Sequence, residues 1–504
     1  MGRRSDQLQL ALLILFLALP VAVLVVWGPA EAYVYGRDQH AWPEFDDLFE
    51  DDSRGREAFA DAFLDRLILR RESIRMRNSI SLDHFGYIDA DSVVSGLDRW
   101  LFYKPAFAAW DCSNHGRLDH GLHRLTLYQE LALANDVPIT FVNAPNKASI
   151  EPAASTGRAR TYGECYFEYE PRARAAFRQL KSPHFIDHAD VLLPRRSEGD
   201  VYLRGDTHWT RRSAFAAIRQ LILEGRLART VEGPPSETFE EKTTDLENQT
   251  LLLGEPTQNP SYSLEGVHPL TESPSEIVIV HDSFYQEVPD YLTHLIPEAR
   301  LINLNFPVFA ALELAPNSRV IVESVERAIL SRVVSHAHFG WHSSVGRWFA
   351  DRMNEASADC DWEKARDLLP ETEYSNLKRG ASGTLTATGS EPRLWTSLPT
   401  APEGNSQCLA LVLESEAEIH PRRSATIFLD ARETQIDPDD RVFEFVHGRT
   451  VDFHYGRRRN GTQANRIAFV VPATASGKRI RVDFRELPTG TVLRSILSAP
   501  RKRI

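Results

Sequence analysis

The hydrophobic pattern of this 504-residue chain changes once, near residue 360, and that change limits the folds available to it. Before it, buried-strand patterns such as residues 137–142 alternate with helical patterns such as 117–135 and 210–224. Strands that alternate with helices are typical of an α/β domain with a mainly parallel sheet. We therefore predict an α/β domain over residues 93–350.

Three further segments of this domain are interpreted from short patterns. Residues 190–193 and 200–203 are brief runs that we predict as short strands. Residues 229–275 are rich in Pro, Thr, Glu and Ser, and we predict a loop or insertion there.

After residue 360, helical periodicity disappears and short strand patterns recur between Gly, Pro and Asp turns. This pattern is typical of an antiparallel β-sandwich or jelly roll, which we predict over residues 360–504. Alternation along the strands indicates that most of its aromatic side chains are core. Of the others, Trp395 is a candidate to stack on a sugar ring, and Arg457 lies in a basic loop that could attract an anionic polymer.

The N-terminal segment predicts export. Residues 8–30 carry no charge and are long enough to span a bilayer, and Arg3 and Arg4 precede them. The positive-inside rule then places the N-terminus in the cytoplasm and the body of the chain outside it. We expect an uncleaved membrane anchor over residues 1–33 and a membrane-proximal arm over 34–92. A cleaved signal peptide is the alternative, because an A-x-A sequence follows the apolar run.

Composition argues against two classes of function. The chain carries 58 basic and 70 acidic residues, a formal net charge of -12, so an electrostatic grip on nucleic acid is not expected. The sequence contains no G-x-x-x-x-G-K-[ST] phosphate loop, so no nucleotide cofactor is implied.

The four cysteines are compatible with two disulfides if the body is exported. Proximity within domains favours the pairs Cys112–Cys165 and Cys360–Cys408 among the three possible pairings. Buried free thiols are the alternative. The sequence has no C-x-x-C spacing, so a structural zinc site is not expected.

Two short motifs carry the residue types of a nucleophilic site. Residues 204–210 (RGDTHWT) precede a helix, and residues 281–285 (HDSFY) follow a buried strand. We expect both at the carboxyl ends of sheet strands, where open α/β sheets place their sites. A serine hydroxyl is a weak nucleophile that needs a base within hydrogen-bond reach and a group that orients the base. Ser283, His208 and Asp206 supply these three types.

Each motif also has a structural interpretation. Asp206 could cap the following helix, His208 could be a satisfied surface residue, and Ser283 could merely open its helix. Residues 184–188 (HFIDH) contain two histidines and an aspartate, which is compatible with a metal site. We favour a solvated face for that segment and assign no metal.

Three further stretches accompany these motifs, namely residues 96–103 (GLDRWLFY), 142–147 (VNAPNK) and 322–327 (VESVER). Together with D-T-H-W-T and D-S-F, and in this order along the chain, they resemble the SGNH-like O-acetyltransferases of alginate biosynthesis. Two positions depart from the family pattern: Arg99 stands where Gly is usual, and His281 stands where Gly is common.

The resemblance implies a permuted SGNH-hydrolase-like fold, because Asp206 and His208 precede Ser283 whereas ordinary SGNH hydrolases place the serine first. It implies that Ser283 takes an acetyl group, that His208 is the base and that Asp206 orients His208. The strand ending at Glu323 would lie where ordinary members place an oxyanion-hole Asn, and an ionised Glu cannot donate there. The backbone N–H of Ser283 is the one donor that the sequence indicates.

The resemblance also implies what surrounds this chemistry. We expect a periplasmic O-acetyltransferase that acts on an exported polysaccharide, is held at the inner membrane by its N-terminal helix and receives acetyl groups from a membrane-bound acyltransferase. The β-sandwich would resemble a carbohydrate-binding module, and we assign Tyr285, Trp395 and Arg457 to substrate binding. Two alternatives stay open: a polysaccharide acetylesterase with the same triad, and a non-catalytic glycan-binding scaffold.

Overall fold

The structure, a computed structural model, describes scattered positions before residue 54 and then residues 54–504 with gaps at 67, 89, 181, 228–235, 243, 251, 253–256, 266, 268–275, 305–312, 335–343, 390–391, 402–406, 415–423, 430–448, 455, 458–462, 465, 486–490 and 503–504. Most of the apolar run over residues 8–30 lies outside the described residues. Within the described part of the chain, no helix is both long and apolar enough to cross a bilayer.

The α-helices of the described residues, α1 to α14 in chain order, are Arg54–Arg66, Ile68–Phe85, Lys104–Ala108, His115–Asn135, Lys147–Ile150, Gly157–Tyr162, Glu164–Phe177, Ala189–Arg195, Arg211–Glu224, Asp245–Gln249, Ser283–Gln286, Pro289–Leu295, Glu326–Val334 and Ser344–Ala356. The strands, β1 to β22, are Val93–Ser95, Leu101–Tyr103, Ile139–Ala144, Phe185–Asp187, Ser236–Lys242, Thr257–Ser263, Ile277–His281, Ala299–Asn303, Arg319–Val325, Arg366–Asp367, Glu373–Ser375, Leu377–Arg379, Leu385–Ala387, Arg393–Ser397, Gln407–Glu414, Ser424–Leu429, Arg449–His454, Gly456–Arg457, Gln463–Ala464, Arg466–Val471, Arg479–Arg485 and Val492–Pro500.

A five-stranded parallel sheet, in the order β4-β3-β9-β7-β8, forms the centre of the first domain. Every residue of β3, β4 and β7 is buried. Strands buried on both faces are expected in a parallel sheet, and the continuous apolar runs of β3 and β7 made these two strands recognisable in the sequence. The predicted α/β architecture is therefore confirmed.

The two predicted short strands at 190–193 and 200–203 are wrong. Residues 190–193 lie inside helix α8, and in the second segment Tyr202 makes only an isolated bridge to Trp209. The strand of this region is β4, which pairs with β3. A brief apolar run is compatible with both helix and strand, so periodicity could not separate them. As a result, the Asp206 loop does not follow a sheet strand, whereas Ser283 follows β7 closely.

Residues 229–275 contain more structure than the predicted loop. Strands β5 and β6 pair as an antiparallel hairpin, and helix α10 lies between them in the chain. Helix α10 docks on the RGDTHWT loop, because the Leu246 N–H donates to the Gly205 carbonyl at 3.0 Å. A Cβ on Gly205 would lie 2.6 Å from Thr244 Oγ1, so only glycine fits at that contact. The hairpin insertion is therefore part of the surroundings of Asp206.

The backbone conformation at Arg99 explains why glycine is usual at this position of the family pattern. Asp98 and Arg99 have φ angles of 50° and 63°, in the left-handed region that favours glycine. A non-glycine residue there costs roughly 1–2 kcal/mol. The Arg99 side chain pairs with Asp83 on α2, which offsets part of that cost.

Two antiparallel sheets make up the second domain. One has the order β12-β13-β22-β15-β20 with β10 beside β22, and the other has the order β11-β14-β21-β16-β17. Buried residues of both sheets, such as Leu409 and Val482, belong to one hydrophobic cluster. The predicted antiparallel architecture is confirmed. Residues 442–446, which carry one of the short strand patterns after residue 360, lie outside the described residues.

The two domains meet along β20, an edge strand of the first antiparallel sheet. Asn135, at the end of α4, donates from Nδ2 to the Val470 carbonyl at 3.0 Å and accepts the Val470 N–H through Oδ1 at 2.7 Å. Asn354 on α14 accepts the Ala468 N–H at 3.0 Å. Two asparagine side chains therefore satisfy edge groups that would otherwise invite pairing with another strand.

Both predicted disulfides are present in the structure. Cys112 bonds Cys165 within the first domain, and Cys360 bonds Cys408 within the second. The favoured pairing is confirmed, and the described residues include no free cysteine.

We predict that Asn135→Ala destabilises the chain by roughly 2–4 kcal/mol, because two buried backbone groups of Val470 lose their partner. Chemical denaturation followed by circular dichroism measures this. The control is Asn114→Ala at the start of the same helix, where the side chain makes no capping bond, and we expect less than about 0.5 kcal/mol there. Equal stabilities of the two variants would contradict the role of Asn135 as an edge clamp.

Candidate active site

Ser283 begins the short helix α11 directly after the buried strand β7. Asp282 precedes it as the N-cap, and its Oδ1 accepts the Phe284 N–H at 3.1 Å. Asp282 Oδ2 accepts the Val325 N–H at 2.7 Å and an Arg332 N–H at 3.0 Å. The carboxylate therefore fixes the turn to strand β9 and holds the partly exposed Ser283 at the carboxyl edge of the sheet.

His208 is oriented by Asp206. The fully buried Asp206 accepts hydrogen bonds through Oδ1 from His208 Nδ1 at 2.8 Å and from the His208 N–H at 2.9 Å. An ionised carboxylate only accepts, so Nδ1 carries the proton and Nε2 is left as an acceptor. Among the described residues, the buried His208 Nε2 has no hydrogen-bond partner. Buried polar atoms are rarely unpaired, so this nitrogen indicates a position where a further group acts.

The electrostatics of the pair favour charge on both members. Burial alone would raise the pKa of Asp206, but its hydrogen bond with His208 and the charges of His208 and Lys242 hold that pKa below its ordinary value. Burial alone would lower the pKa of His208, but the hydrogen bond and charge of Asp206 outweigh burial and raise it. The site therefore stabilises the imidazolium that forms when a base takes a proton.

The two motifs meet through Phe284. Its ring centroid lies 5.0 Å from that of His208 and 5.0 Å from that of Trp209, so the residue after the serine packs against the base. His208 Nε2 is unpaired, so the hydrogen bond to Ser283 is not formed in this structure. Catalytic hydrogen bonds are often long before substrate binds and tighten afterwards.

Lys147, from the VNAPNK stretch, holds the loop that carries the base. Its buried Nζ donates to the carbonyls of Leu101, Leu203, Arg204 and Asp206 at 2.7–2.9 Å. Burial lowers the pKa of Lys147 to about 7, while the charge of Asp206 opposes that shift. In the sequence, Lys147 is one of the residues that carry the family resemblance, and its contacts with these carbonyls could not be predicted from that.

Two further charged residues of the site come from the hairpin insertion. Asp245 accepts from the Thr207 N–H at 2.8 Å and from Thr207 Oγ1 at 2.6 Å. Lys242 Nζ lies 3.2 Å from Asp206 Oδ2. Asp206, His208 and Asp245 are close enough together to share a metal ion, but the Lys242 ammonium already stands beside Asp206. The place of Asp245 and Lys242 in the site could not be predicted from the sequence, because a predicted loop has no predicted position in the fold.

Glu323 lies beneath the nucleophile turn. Its Oε2 accepts the Asp282 N–H at 2.9 Å, and its Oε1 is buried without a partner among the described residues. Burial, together with the charge of Asp282, raises the pKa of Glu323 well above its ordinary value. The neutral carboxyl group can donate as well as accept, so the argument that Glu323 cannot be a donor applies only to its ionised form.

The structure contradicts the substrate-binding role of Tyr285. Its side chain is fully buried, and its hydroxyl bonds His188 Nε2 at 2.8 Å. His188 Nδ1 in turn bonds Gln220 Oε1 at 2.9 Å, and burial lowers the pKa of His188 to about 4. Tyr285 therefore packs the nucleophile helix against the sheet and cannot reach a substrate. The solvated face expected for residues 184–188 is likewise wrong, because β4 and both flanking histidines are buried.

The other two substrate-binding candidates belong to the second domain. Trp395 is partly exposed on β14, opposite Arg481 of β21. Arg457 lies on β18, and its side chain is outside the described part of the structure. Their roles stay predictions.

A small pocket brings residues from four of the five family stretches together. Its lining includes Tyr103 from the first stretch, Asn146 and Lys147 from the second, Thr207 from the RGDTHWT loop and Arg327 from the last. These stretches are far apart in sequence, and the fold brings them together around Thr207, the neighbour of His208.

Comparison with known proteins agrees with the motifs. Residues 93–295 match the family model described as SGNH hydrolase-like domain, acetyltransferase AlgX. A stretch of 149 residues is 30% identical to the probable alginate O-acetylase AlgJ of Pseudomonas aeruginosa. That stretch is 28% of this chain, and the match covers 35% of the length of the relative. The resemblance inferred from the sequence is confirmed.

Solved structures of the same group are also similar. The O-acetyltransferase domain of Pseudomonas putida AlgJ is 20% identical, with coverage of 47% of this chain and 92% of that chain and a TM-score of 0.31. Pseudomonas aeruginosa AlgX is 13% identical, with coverage of 82% and 95% and a TM-score of 0.32. Bacillus cereus PatB1 with a sulfonyl adduct is 12% identical, with coverage of 47% and 95% and a TM-score of 0.34. Scores this low do not establish a shared fold, and the family match stands on sequence.

We predict that Asp206→Asn lowers the pKa of His208 by at least about one unit, because it removes the charge that stabilises the imidazolium. Nuclear magnetic resonance titration of histidine labelled at Cε1 measures this, with His208→Gln to assign the signal. Asp200→Asn, which breaks an exposed pair with Arg204 four residues away, is the control and should leave that pKa unchanged. An unshifted His208 in Asp206→Asn would refute the assignment of Asp206 as its orienting group.

Proposed function

From the match of residues 93–295 to an SGNH hydrolase-like acetyltransferase domain, we propose that this chain transfers acetyl groups to hydroxyls of an exported polysaccharide. The observation that carries the proposal is the Asp206–His208 pair. Its imidazole packs against Phe284, the residue after Ser283, and its Nε2 has no hydrogen-bond partner among the described residues. A base that is oriented on one nitrogen and unpaired on the other, next to a serine at a helix start, has the composition of a nucleophilic site.

The reaction has two balanced steps. Ser283 Oγ attacks the carbonyl carbon of the acetyl donor, and His208 Nε2 takes the hydroxyl proton and passes it to the leaving group. A sugar hydroxyl then attacks the acetyl-serine, gives its proton to His208 and receives the acetyl group, and the proton returns to Ser283 Oγ. Asp206 stabilises the imidazolium in both steps. The Ser283 N–H, at the first position of α11, is placed to donate to the carbonyl oxygen as negative charge develops there.

The setting outside the cytoplasm is part of the proposal. Two disulfides are typical of an oxidising compartment, and the uncharged run over residues 8–30 follows a basic pair. Acetyl donors soluble in the cytoplasm are out of reach there, so a membrane-bound acyltransferase would supply the acetyl group. The anchored periplasmic enzyme would then hold its polysaccharide with the second domain, through Trp395 and the basic segment around Arg457.

Hydrolysis is the competing reaction, since water in place of the sugar hydroxyl turns the same acyl-enzyme into an esterase. The test incubates the purified chain with an activated acetyl ester and an oligosaccharide. Released acetate and acetylated oligosaccharide are then measured together. Acetyl transfer above the level in buffer supports the transferase, and acetate alone supports the esterase. Glycan binding without any turnover would make the chain a binding scaffold.

We predict that Ser283→Ala lowers turnover of the acetyl ester by roughly 10⁴-fold or more, because the nucleophile is removed while the buried contacts of Asp282 are kept. Mass spectrometry of the intact protein should detect an acetyl adduct in the wild type and none in the variant. The control is Ser197→Ala, which removes an exposed hydroxyl bonded only to its own turn. Turnover in Ser283→Ala at the wild-type rate would refute the acyl-enzyme.

A second prediction separates polymer binding from catalysis in the intact chain. Trp395→Ala should raise the KM for a long polysaccharide about 2–10-fold, the equivalent of about 0.5–1.5 kcal/mol of aromatic stacking, and leave turnover of the small ester unchanged. Tyr374→Ala on the neighbouring strand is the control, because Tyr374 pairs with Leu394 and so faces away from Trp395. An unchanged KM for the polymer would exclude Trp395 from substrate binding.

A further inference from the structure

Lys242 joins the two catalytic motifs although it belongs to neither. It ends strand β5 of the hairpin insertion, and its Nζ lies 3.2 Å from Asp206 Oδ2. The same nitrogen donates to Glu287 Oε2 at 2.7 Å, and Glu287 directly follows the nucleophile helix α11. A chain of contacts therefore runs from Glu287 through Lys242 and Asp206 to His208 Nδ1.

The two oxygens of Asp206 contact two different side chains, His208 and Lys242. Oδ1 accepts from His208, while Oδ2 lies beside Lys242 and accepts only a long bond of 3.4 Å from the Asp245 N–H. Burial alone would lower the pKa of Lys242, but the charges of Asp206 and Glu287 outweigh it and raise that pKa. The ammonium is thus kept charged next to the carboxylate that orients the base.

The charges that face His208 explain why a cation is needed there. Asp206 acts from the same loop, Asp245 from α10 and Glu287 from the end of α11, and each raises the pKa of His208. A general base must be neutral to accept a proton, and each of these acidic neighbours favours the protonated imidazole instead. Lys242, from β5, is the cation that contacts two of those three acids. Phe284 and Thr207, which also contact the imidazole, carry no charge.

We propose that Lys242 is a positioning residue that keeps His208 available as a base and ties the loop of Asp206 to the turn of Ser283. This proposal rests on the function proposed above and adds a residue to it. Lys242 does not contact the reacting atoms. Its charge acts on His208 through Asp206, and its bond to Glu287 holds the Ser283 turn at a set distance from the loop of Asp206.

The proposal predicts the sign of two opposite changes. Lys242→Met removes positive charge near the imidazole, so the pKa of His208 should rise by about one unit. Glu287→Gln removes negative charge, so the same pKa should fall. Since the neutral imidazole is the active form, the acid limb of the kcat/KM profile should move to higher pH in Lys242→Met and to lower pH in Glu287→Gln. Lys242→Arg keeps the charge and should restore the wild-type profile.

The experiment uses the full chain and two readouts. Histidine Cε1 titration by nuclear magnetic resonance reports on His208 with or without turnover, and the pH profile for hydrolysis of an activated acetyl ester reports on the base in action. Lys378→Met removes an exposed lysine from the second domain and is the matched control. Thermal melts identify any variant that fails to fold, and Glu287→Gln, which changes a more exposed side chain, keeps the proposal testable in that case.

Opposite shifts in Lys242→Met and Glu287→Gln, with Lys242→Arg and Lys378→Met unchanged, are the expected result. An unshifted His208 titration in folded Lys242→Met overturns the proposal, and so does a shift of the same size in Lys378→Met. If the wild type shows no Ser283-dependent turnover, the proposed function fails, while the titration still decides the role of Lys242. The two failures are therefore distinguishable.

Discussion

The geometry of the site depends on one buried ammonium group. The segment from Leu203 to Asp206 lies outside the sheets of the described residues. Backbone bonds hold it in part, since the Arg204 carbonyl accepts the Leu101 N–H at 2.9 Å and the Leu203 carbonyl accepts the Asp206 N–H at 3.2 Å. Buried backbone groups must find partners, and Lys147 Nζ bonds three of the carbonyls in this segment together with that of Leu101. Lys147 holds the backbone of Asp206 through its carbonyl, and the Asp206 carboxylate in turn orients His208. The base loop is therefore held by a lysine that has no step in the proposed reaction.

The second domain is joined to this framework more closely than a tethered binding module would be. Asn135 and Asn354 come from helices of the first domain, and they supply to β20 the bonds that a neighbouring strand would supply. An edge strand covered in this way is protected from pairing with other chains. A variant that ends before the second domain would leave Asn135 and Asn354 without these partners and would remove part of the shared hydrophobic cluster. Point substitutions in the intact chain therefore test substrate binding more directly than truncation does.

The features that could be predicted from the sequence are those that depend on residues close together in the chain. Buried strands such as β3 and β7 appear as continuous apolar runs, and the motif residues Asp206, His208 and Ser283 are recognisable as residue types at family spacing. Contacts across the fold leave no such pattern. Lys242 contacts Asp206 because the β5–β6 hairpin folds over the loop that carries Asp206. The composition of residues 229–275 does not indicate this arrangement. The helix α8 was misassigned for a related reason, since its short apolar run has no period to read.

Residues 281–285 include a proposed reacting residue and residues that only support it, and burial distinguishes them. In the HDSFY stretch Ser283 is partly exposed, whereas Phe284 and Tyr285 are fully buried and hold the turn against the base loop and His188. Tyr285 belongs to the same stretch as Ser283, but closeness in sequence does not give its side chain access to a substrate. In a short helix that begins at a sheet edge, successive side chains point in different directions, so the residue next to a nucleophile is as often its support as its partner. Within this stretch, the exposure of Ser283 and the burial of Phe284 and Tyr285 therefore separate the proposed nucleophile from the residues that support it.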